Sequence, residues 1–79
     1  MSLSITYFGM IAEATGSSSE RLASEGNETV GKLRETLVSK YPTLSELEFK
    51  IAVDSNVVED NEKLQDGALI ALLPPFAGG

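Results

Sequence analysis

The residues of this chain best suited to chemistry lie in its last stretch, Leu72-Leu73-Pro74-Pro75-Phe76-Ala77-Gly78-Gly79. The usual catalytic side chains are missing: there is no cysteine, histidine or tryptophan among 79 residues. That excludes disulfide staples, zinc sites with Cys or His ligands, Cys or His nucleophiles and imidazole acid–base catalysis. Hydroxyls, carboxylates, six Lys or Arg, the backbone and the chain ends remain. At average glycine usage a terminal Gly-Gly arises by chance in about one chain in 200, so its setting carries the argument. Pro74 and Pro75 forbid further ladder hydrogen bonds and stiffen the exit from a strand. Phe76 offers one large apolar anchor for a partner pocket. Gly78 and Gly79, with no Cβ, can thread a channel closed to other residues, and Ala77 is nearly as slim. Four residues past Pro75 reach at most ~14 Å, enough to deliver a terminal carboxylate into another protein's active site.

A carboxylate is a poor electrophile and a weak nucleophile. ATP-dependent adenylation converts it to an acyl-adenylate, which then acylates an amine or takes sulfur to become a thiocarboxylate. Without a cysteine of its own, the chain must receive that sulfur from elsewhere. Other candidates are weaker. Asp54-Ser55-Asn56 opens like a calcium loop, but Glu59 stands where glycine is needed and Gln65 where a bidentate Glu is needed. Glu46/Glu48 and Asp60/Glu62 read as solvated faces. Gly9 and Gly16 have no phosphate-loop spacing, and Ser17 to Ser19 lack a base. No metal site is predicted.

Positioning a tail requires a domain behind it. Leu3, Ile5 and Tyr7 alternate with Ser4 and Thr6, which predicts a half-buried strand. Gly9 breaks the run, Met10-Ile11-Ala12 suits one helical turn, and Gly16 with the serines marks a loop. Ser19 to Ser24 is a weak second strand with Leu22 as its core candidate. Thr29 is the predicted N-cap of a helix whose stripe is Val30, Leu33, Leu37, Val38 and Tyr41, stopped by Pro42, with Gly31 as a mild defect. Phe49, Ile51 and Val53 predict a strand, Asp54-Ser55-Asn56 its turn and Val57-Val58 a short return. After the Asp66-Gly67 turn, Ala68 to Leu73 reads as a central strand buried on both faces. A hairpin, a helix crossing one sheet face and further strands make an α+β fold with a mixed sheet. The β-grasp, the ubiquitin-like fold, is the candidate, with residues 1–75 as the domain and 76–79 as a protruding flexible tail.

Composition bounds the rest. One small core is all that 79 residues can build, burying about 60% of the unfolded surface, so the domain leans on a partner or folds marginally. The net charge of −6 disfavours nucleic acid. It is lopsided, with four bases against five acids up to Lys40 and two against seven beyond. Such acidity suits a basic protein partner, or solubility alone. Residues 2–10 lack a basic leader with an apolar block, and residues 68–77 are about half the ~20 a membrane span needs, so a cytoplasmic location is expected. Asn27-Glu28-Thr29 is only a formal glycosylation triplet.

Four stretches resemble the MoaD/ThiS family of ubiquitin-like sulfur carriers, most of all its molybdopterin-synthase branch. They are Ile5-Thr6-Tyr7-Phe8-Gly9 with Ala12-Glu13-Ala14-Thr15-Gly16; the helix from Thr29-Val30 to Tyr41-Pro42; Ile51-Ala52-Val53-Asp54; and Leu64-Gln65-Asp66-Gly67 running into Leu72 through Gly79. The family usually has Asn at the position of Asp54 and an acid at that of Ala68. The resemblance implies that an E1-like adenylyltransferase adenylates Gly79 with ATP and that a sulfur donor converts it to a thiocarboxylate. The tail then enters the large subunit of molybdopterin synthase, in a heterotetramer, and its sulfur converts cyclic pyranopterin monophosphate to molybdopterin. Gly79 would be the reacting residue, Gly78 and Ala77 the inserted tail, and Phe76, Pro75 and Pro74 the partner contacts. The chain would be a non-catalytic subunit that binds no cofactor itself, ATP belonging to the activating enzyme. A carrier for thiamin or another thio-product, a ubiquitin-like protein modifier and a plain interaction domain are the alternatives.

Overall fold

Strand β1 (Ser2–Tyr7) turns Leu3, Ile5 and Tyr7 into the core and Ser4 and Thr6 away from it. The computed structural model describes residues 2–75. After a six-residue helix α1 (Met10–Thr15), β2 (Ser19–Ala23) returns antiparallel to β1, with Leu3 opposite Leu22. Helix α2 (Val30–Lys40) then crosses one face of the sheet, followed by a 3-10 turn at Pro42–Glu46, β3 (Lys50–Val53), β4 (Asn56–Val57) and β5 (Leu69–Leu73). β5 lies at the centre of a five-stranded sheet ordered β2-β1-β5-β3-β4. It runs parallel to β1, Ile5 opposite Ile70, and antiparallel to β3, Ile51 opposite Leu72. This is the predicted mixed sheet with one main helix.

The first turn of α2 would leave its amides unpaired without outside acceptors. Thr29 Oγ1 accepts from the Lys32 amide at 3.2 Å, as its N-cap role predicts. The Val30 and Gly31 amides donate to the carbonyls of Glu62 and Asp60 at 2.9 and 2.8 Å. Gly31 is therefore no defect: a Cβ there would lie 3.2 Å from the Asp60 carbonyl oxygen, and glycine lets the loop close on the helix. Val30, Leu33 and Leu37 are fully buried, while Val38 and Tyr41 pack at the margin. Pro42 stops the helix, and the 3-10 turn it begins seats Leu44 in the core, a feature that no periodicity in the sequence announces.

Two further expectations are corrected. β5 is central but not buried on both faces: Ile70 and Leu72 are inside, whereas Leu69 keeps 63% of its surface exposed. α2 covers one side of the sheet, while on the other Leu69 and Val57 stand exposed around the small, buried Ala52. The β3–β4 turn is also tighter than predicted. Asp54 and Ser55 both take positive φ, 49° and 75°, so the return strand begins at Asn56, paired with Val53. Such φ pairs characterise the hairpin turns that match the sheet's twist.

A polar node ties the sheet to the end of α2. The hydroxyls of Tyr7 and Tyr41 each donate to Oε1 of Glu20 at 2.5 Å, and Lys40 Nζ reaches its Oε2 at 2.5 Å. The two rings meet edge to face, 6.1 Å between centroids. Partial burial pushes the Glu20 carboxyl up, but donation from Lys40, Tyr41 and Tyr7 outweighs it and holds the group below the ordinary carboxylate value. A depressed folded-state pKa stabilises the fold above the unfolded value of 4.5 and loses that contribution as pH falls through the lower folded value. Burial and the same carboxylate raise Tyr7, so a second loss begins as pH climbs past 10.0, where the unfolded tyrosine ionises. Glu20→Gln is expected to lower unfolding free energy by about 1–2 kcal/mol at neutral pH. Urea melts should show that difference shrinking below pH 4.5; a constant difference would remove the carboxylate charge from the account.

Candidate functional site

The site is the exit of β5. The last rung that ties it to β1 is the Phe8 amide donating to the Leu72 carbonyl at 3.3 Å. Leu73 still pairs with Lys50 of β3, and then Pro74 and Pro75, both half-buried, end the ladder. The structure thus places the two prolines where the sequence predicts them, directly beyond the central strand. Phe76, Ala77, Gly78 and Gly79, which the sequence predicts as anchor and inserted tail, lie outside the described residues.

Beside the exit the sheet presents its uncovered face. Leu69, Ala71 and Leu73 of β5 point to that side, as do Ala52 of β3 and Val57, its partner on β4. Phe8 continues the outward side of β1 after Ser4 and Thr6. Leu69, Val57 and Phe8 keep 63%, 60% and 44% of their surfaces exposed, and Met10, across the Gly9 corner from Phe8, keeps 53%. Arg21 and Lys50 stand exposed on outward positions of β2 and β3. The described ion pairs are Arg34–Asp60 and Lys40–Glu20, so neither of those cations has a described carboxylate partner. An apolar strip flanked by cations therefore runs along the sheet to the point where the chain leaves it. Large exposed side chains grouped in this way mark a protein-contact surface.

Sequence reasoning missed this face because it assigned both sides of β5 to the core. One signal was available: Phe8 is an aromatic residue at an outward register position behind Ser4 and Thr6. The other candidates fall away. Glu46, Glu48, Asp60 and Glu62 are exposed, and Asp60 serves Arg34 at 3.1 Å. No group of carboxylates fit to hold a metal occurs among the described residues. Asn27 is buried, donating to the Ala23 carbonyl at 2.8 Å and accepting from Thr36 at 2.6 Å, so its triplet is no modification site in the folded protein. A cavity of about 240 Å³ lined by Ser24, Glu25, Glu28, Leu64 and Asp66 sits at the beginning of β5, the far end from the exit. No described helix is long and apolar enough to cross a membrane.

The two departures from the family pattern have local explanations. Asp54 Oδ1 accepts from the Leu69 amide at 3.1 Å, a task that an Asn oxygen performs equally well. Ala68 is buried against the core, with its carbonyl accepting from the Ser4 amide at 3.1 Å.

A five-stranded mixed sheet wrapped on one helix, with the chain leaving its central strand through two prolines, defines a ubiquitin-like β-grasp protein. The chain belongs to the ThiS family, the sulfur carriers of MoaD/ThiS type, which it matches over residues 5–79. It is 29% identical over 83 residues to the molybdopterin synthase sulfur carrier subunit of Caenorhabditis briggsae, spanning 100% of this chain and 99% of that protein. SAMP1 from Haloferax volcanii, a small archaeal modifier protein, superposes with a TM-score of 0.82 at 26% identity, each chain fully covered. A chain of the complex of subunits 1 and 2 of the Helicobacter pylori molybdopterin-converting factor superposes with a TM-score of 0.72 at 26% identity, again over the whole of both chains.

Proposed function

We propose that the chain is the sulfur-carrying small subunit of molybdopterin synthase. The observation that carries the reading is the full-length likeness to a molybdopterin synthase sulfur carrier subunit, within a family match that runs through residue 79. In this reading a carboxylate oxygen of Gly79 attacks the α-phosphorus of ATP on an E1-like adenylyltransferase and pyrophosphate leaves. A sulfur donor then displaces AMP, leaving a thiocarboxylate on Gly79. Gly78 and Ala77 thread the partner's channel, Phe76 anchors beside it, and Pro75 and Pro74 hold the approach. In the large subunit the thiocarboxylate sulfur is transferred to cyclic pyranopterin monophosphate on the way to molybdopterin, and hydrolysis restores the carboxylate. The chain binds no cofactor or metal of its own, ATP stays with the activating enzyme, and the cycle runs in the cytoplasm.

The uncovered sheet face supports the docking this scheme requires. Its apolar strip ends at the tail exit, so a partner seated there receives the tail directly. The Helicobacter pylori complex of subunits 1 and 2 supports a large-subunit partner, with which this chain would form a heterotetramer. Likeness to SAMP1 favours one second reading, a ubiquitin-like modifier whose Gly79 is joined to lysines of other proteins.

Incubation with the activating enzyme of the same organism, ATP and sulfide separates the two. Intact mass should rise by the difference between one sulfur and one oxygen, and fragmentation should place it on Gly79. Isopeptide-linked products instead would establish the modifier. An unchanged mass with no conjugates would overturn both.

A further inference from the structure

The strand registers fix where charge sits on the open face. Of the twelve acidic side chains in the chain, the described strands hold one, Glu20. It stands opposite Ile5 on the helix-covered side, where Tyr7, Tyr41 and Lys40 donate to it. Two of the six cations, Arg21 and Lys50, hold outward strand positions and are exposed. At the margin of the face, in the turn after β3, Asp54 turns Oδ1 to the Leu69 amide at 3.1 Å. A chain of net charge −6 therefore places cations, and no carboxylate, at the outward positions of its described strands.

Their layout is specific. Arg21 shares a row with Ser4 and Leu69, and Lys50 shares a row with Leu73, four residues further along β5. Thr6, Ala71, Ala52 and Val57 form the row between. Arg21 and Lys50 are three strand spacings and four residues apart, about 20 Å across the diagonal at ~4.8 Å per strand and ~3.3 Å per residue. Leu69 lies on one side of that diagonal and Phe8 on the other, with the small side chains of Thr6 and Ala71 beneath it. Apolar surface is thus offered in the middle and a cation at each end.

We infer that the partner seated on this face is acidic at its rim: an apolar centre meets Leu69 and Phe8, and carboxylates about 20 Å apart meet Arg21 and Lys50. This deepens the carrier reading and rests on it for the identity of the partner, the large subunit. It also reverses the expectation, drawn from net charge, of a basic partner. Cations on the partner's patch would face Arg21 and Lys50 at short range, where salt screens repulsion least. Carboxylates there are attracted, while the acidic remainder of the chain repels the same patch in every other orientation. Charge then selects the pose as well as speeding encounter.

The experiment compares two double variants that change net charge equally. Arg21→Glu with Lys50→Glu alters the open face; Lys32→Glu with Lys63→Glu alters α2 and the loop bridged to Thr29. Melting curves check that each is folded. At low salt, stopped-flow association with the large subunit of the same organism should slow by about tenfold or more in the first and by no more than about threefold in the second. The difference should close at 1 M salt, where the screening length is about 3 Å. A second arm needs no partner: relaxation enhancement of methyl protons by an anionic and by a cationic gadolinium chelate. The anionic-to-cationic ratio at Thr6 and Ala71 should exceed that at Thr43, which lies off the sheet on the 3-10 turn, and should lose that excess in Arg21→Glu, Lys50→Glu. A wild type that does not bind the large subunit would defeat the carrier reading, while the probes still decided the sign of the face. Faster association of the Arg21/Lys50 variant, equal slowing of both variants, or a ratio at Thr6 and Ala71 no higher than at Thr43 would overturn the inference.

Discussion

Removal of Gly79 alone is expected to abolish sulfur loading and every step that follows it, with the thermal midpoint unchanged within experimental error. The reason is one of geometry rather than stability. Residue 79 follows Leu73, the last described ladder residue of β5, by six positions, and the buried core among the described residues runs from Leu3 to Leu72. Truncation leaves Gly78 with a terminal carboxylate of the same chemistry, withdrawn by one residue, about 3.5 Å. A reacting group displaced that far loses the near-attack geometry on which an adenylating site depends, where misplacement by even ~1 Å costs on the order of 100-fold. A readout of thiocarboxylate by mass, beside a melting curve on the same sample, checks it. A truncated protein that still loaded sulfur would show that the carboxylate's reach is not what matters and would sink the carrier mechanism as written. The complementary insertion of one glycine after Gly79 should also fail, by overshoot, which separates reach from the mere presence of a carboxylate.

How much of this was legible in the sequence varies with the range of the interaction. Helix α2 was readable because its determinants are local: Thr29 accepts from Lys32 three residues on, the stripe repeats at helical spacing, and Pro42 ends it. β1 was readable for the same reason, from a period of two. The Glu20 node was not, because its members lie 13, 20 and 21 residues from Glu20 and nothing in their spacing announces a contact. Gly31 looked like a flaw because its neighbour, Asp60, arrives from the opposite half of the chain. The apolar run in β5 was misread for a related reason. An apolar strand tells how much surface avoids water, not whether this domain or a partner supplies the cover. In Leu69 and its neighbours the second face is left open. The tail could be proposed from residue types alone, since prolines, an aromatic and paired glycines have properties independent of fold.

Charging the open face is expected to break the complex without harming the fold. In the double variant Phe8→Glu, Leu69→Glu the two residues sit at opposite ends of the outward stripe, 44% and 63% exposed, and neither belongs to the buried cluster. Substitutions at such positions change stability by about 0.5 kcal/mol each. In a complex the same positions would be desolvated, and an unpaired carboxylate buried there costs several kcal/mol. Affinity for the large subunit of the same organism should fall by on the order of 100-fold or more, about 2.7 kcal/mol, in calorimetry. The variant also discriminates the strip from the charge around it. Arg21→Gln with Lys50→Gln removes the flanking cations but leaves Phe8 and Leu69 in place, and should change the association rate and its salt dependence with a smaller loss of affinity. Loss of binding in both variants with intact melting would assign the contact chiefly to charge. Wild-type affinity in the Phe8/Leu69 variant would instead move docking off this face, leaving the tail as the only contact and Phe76 as its anchor.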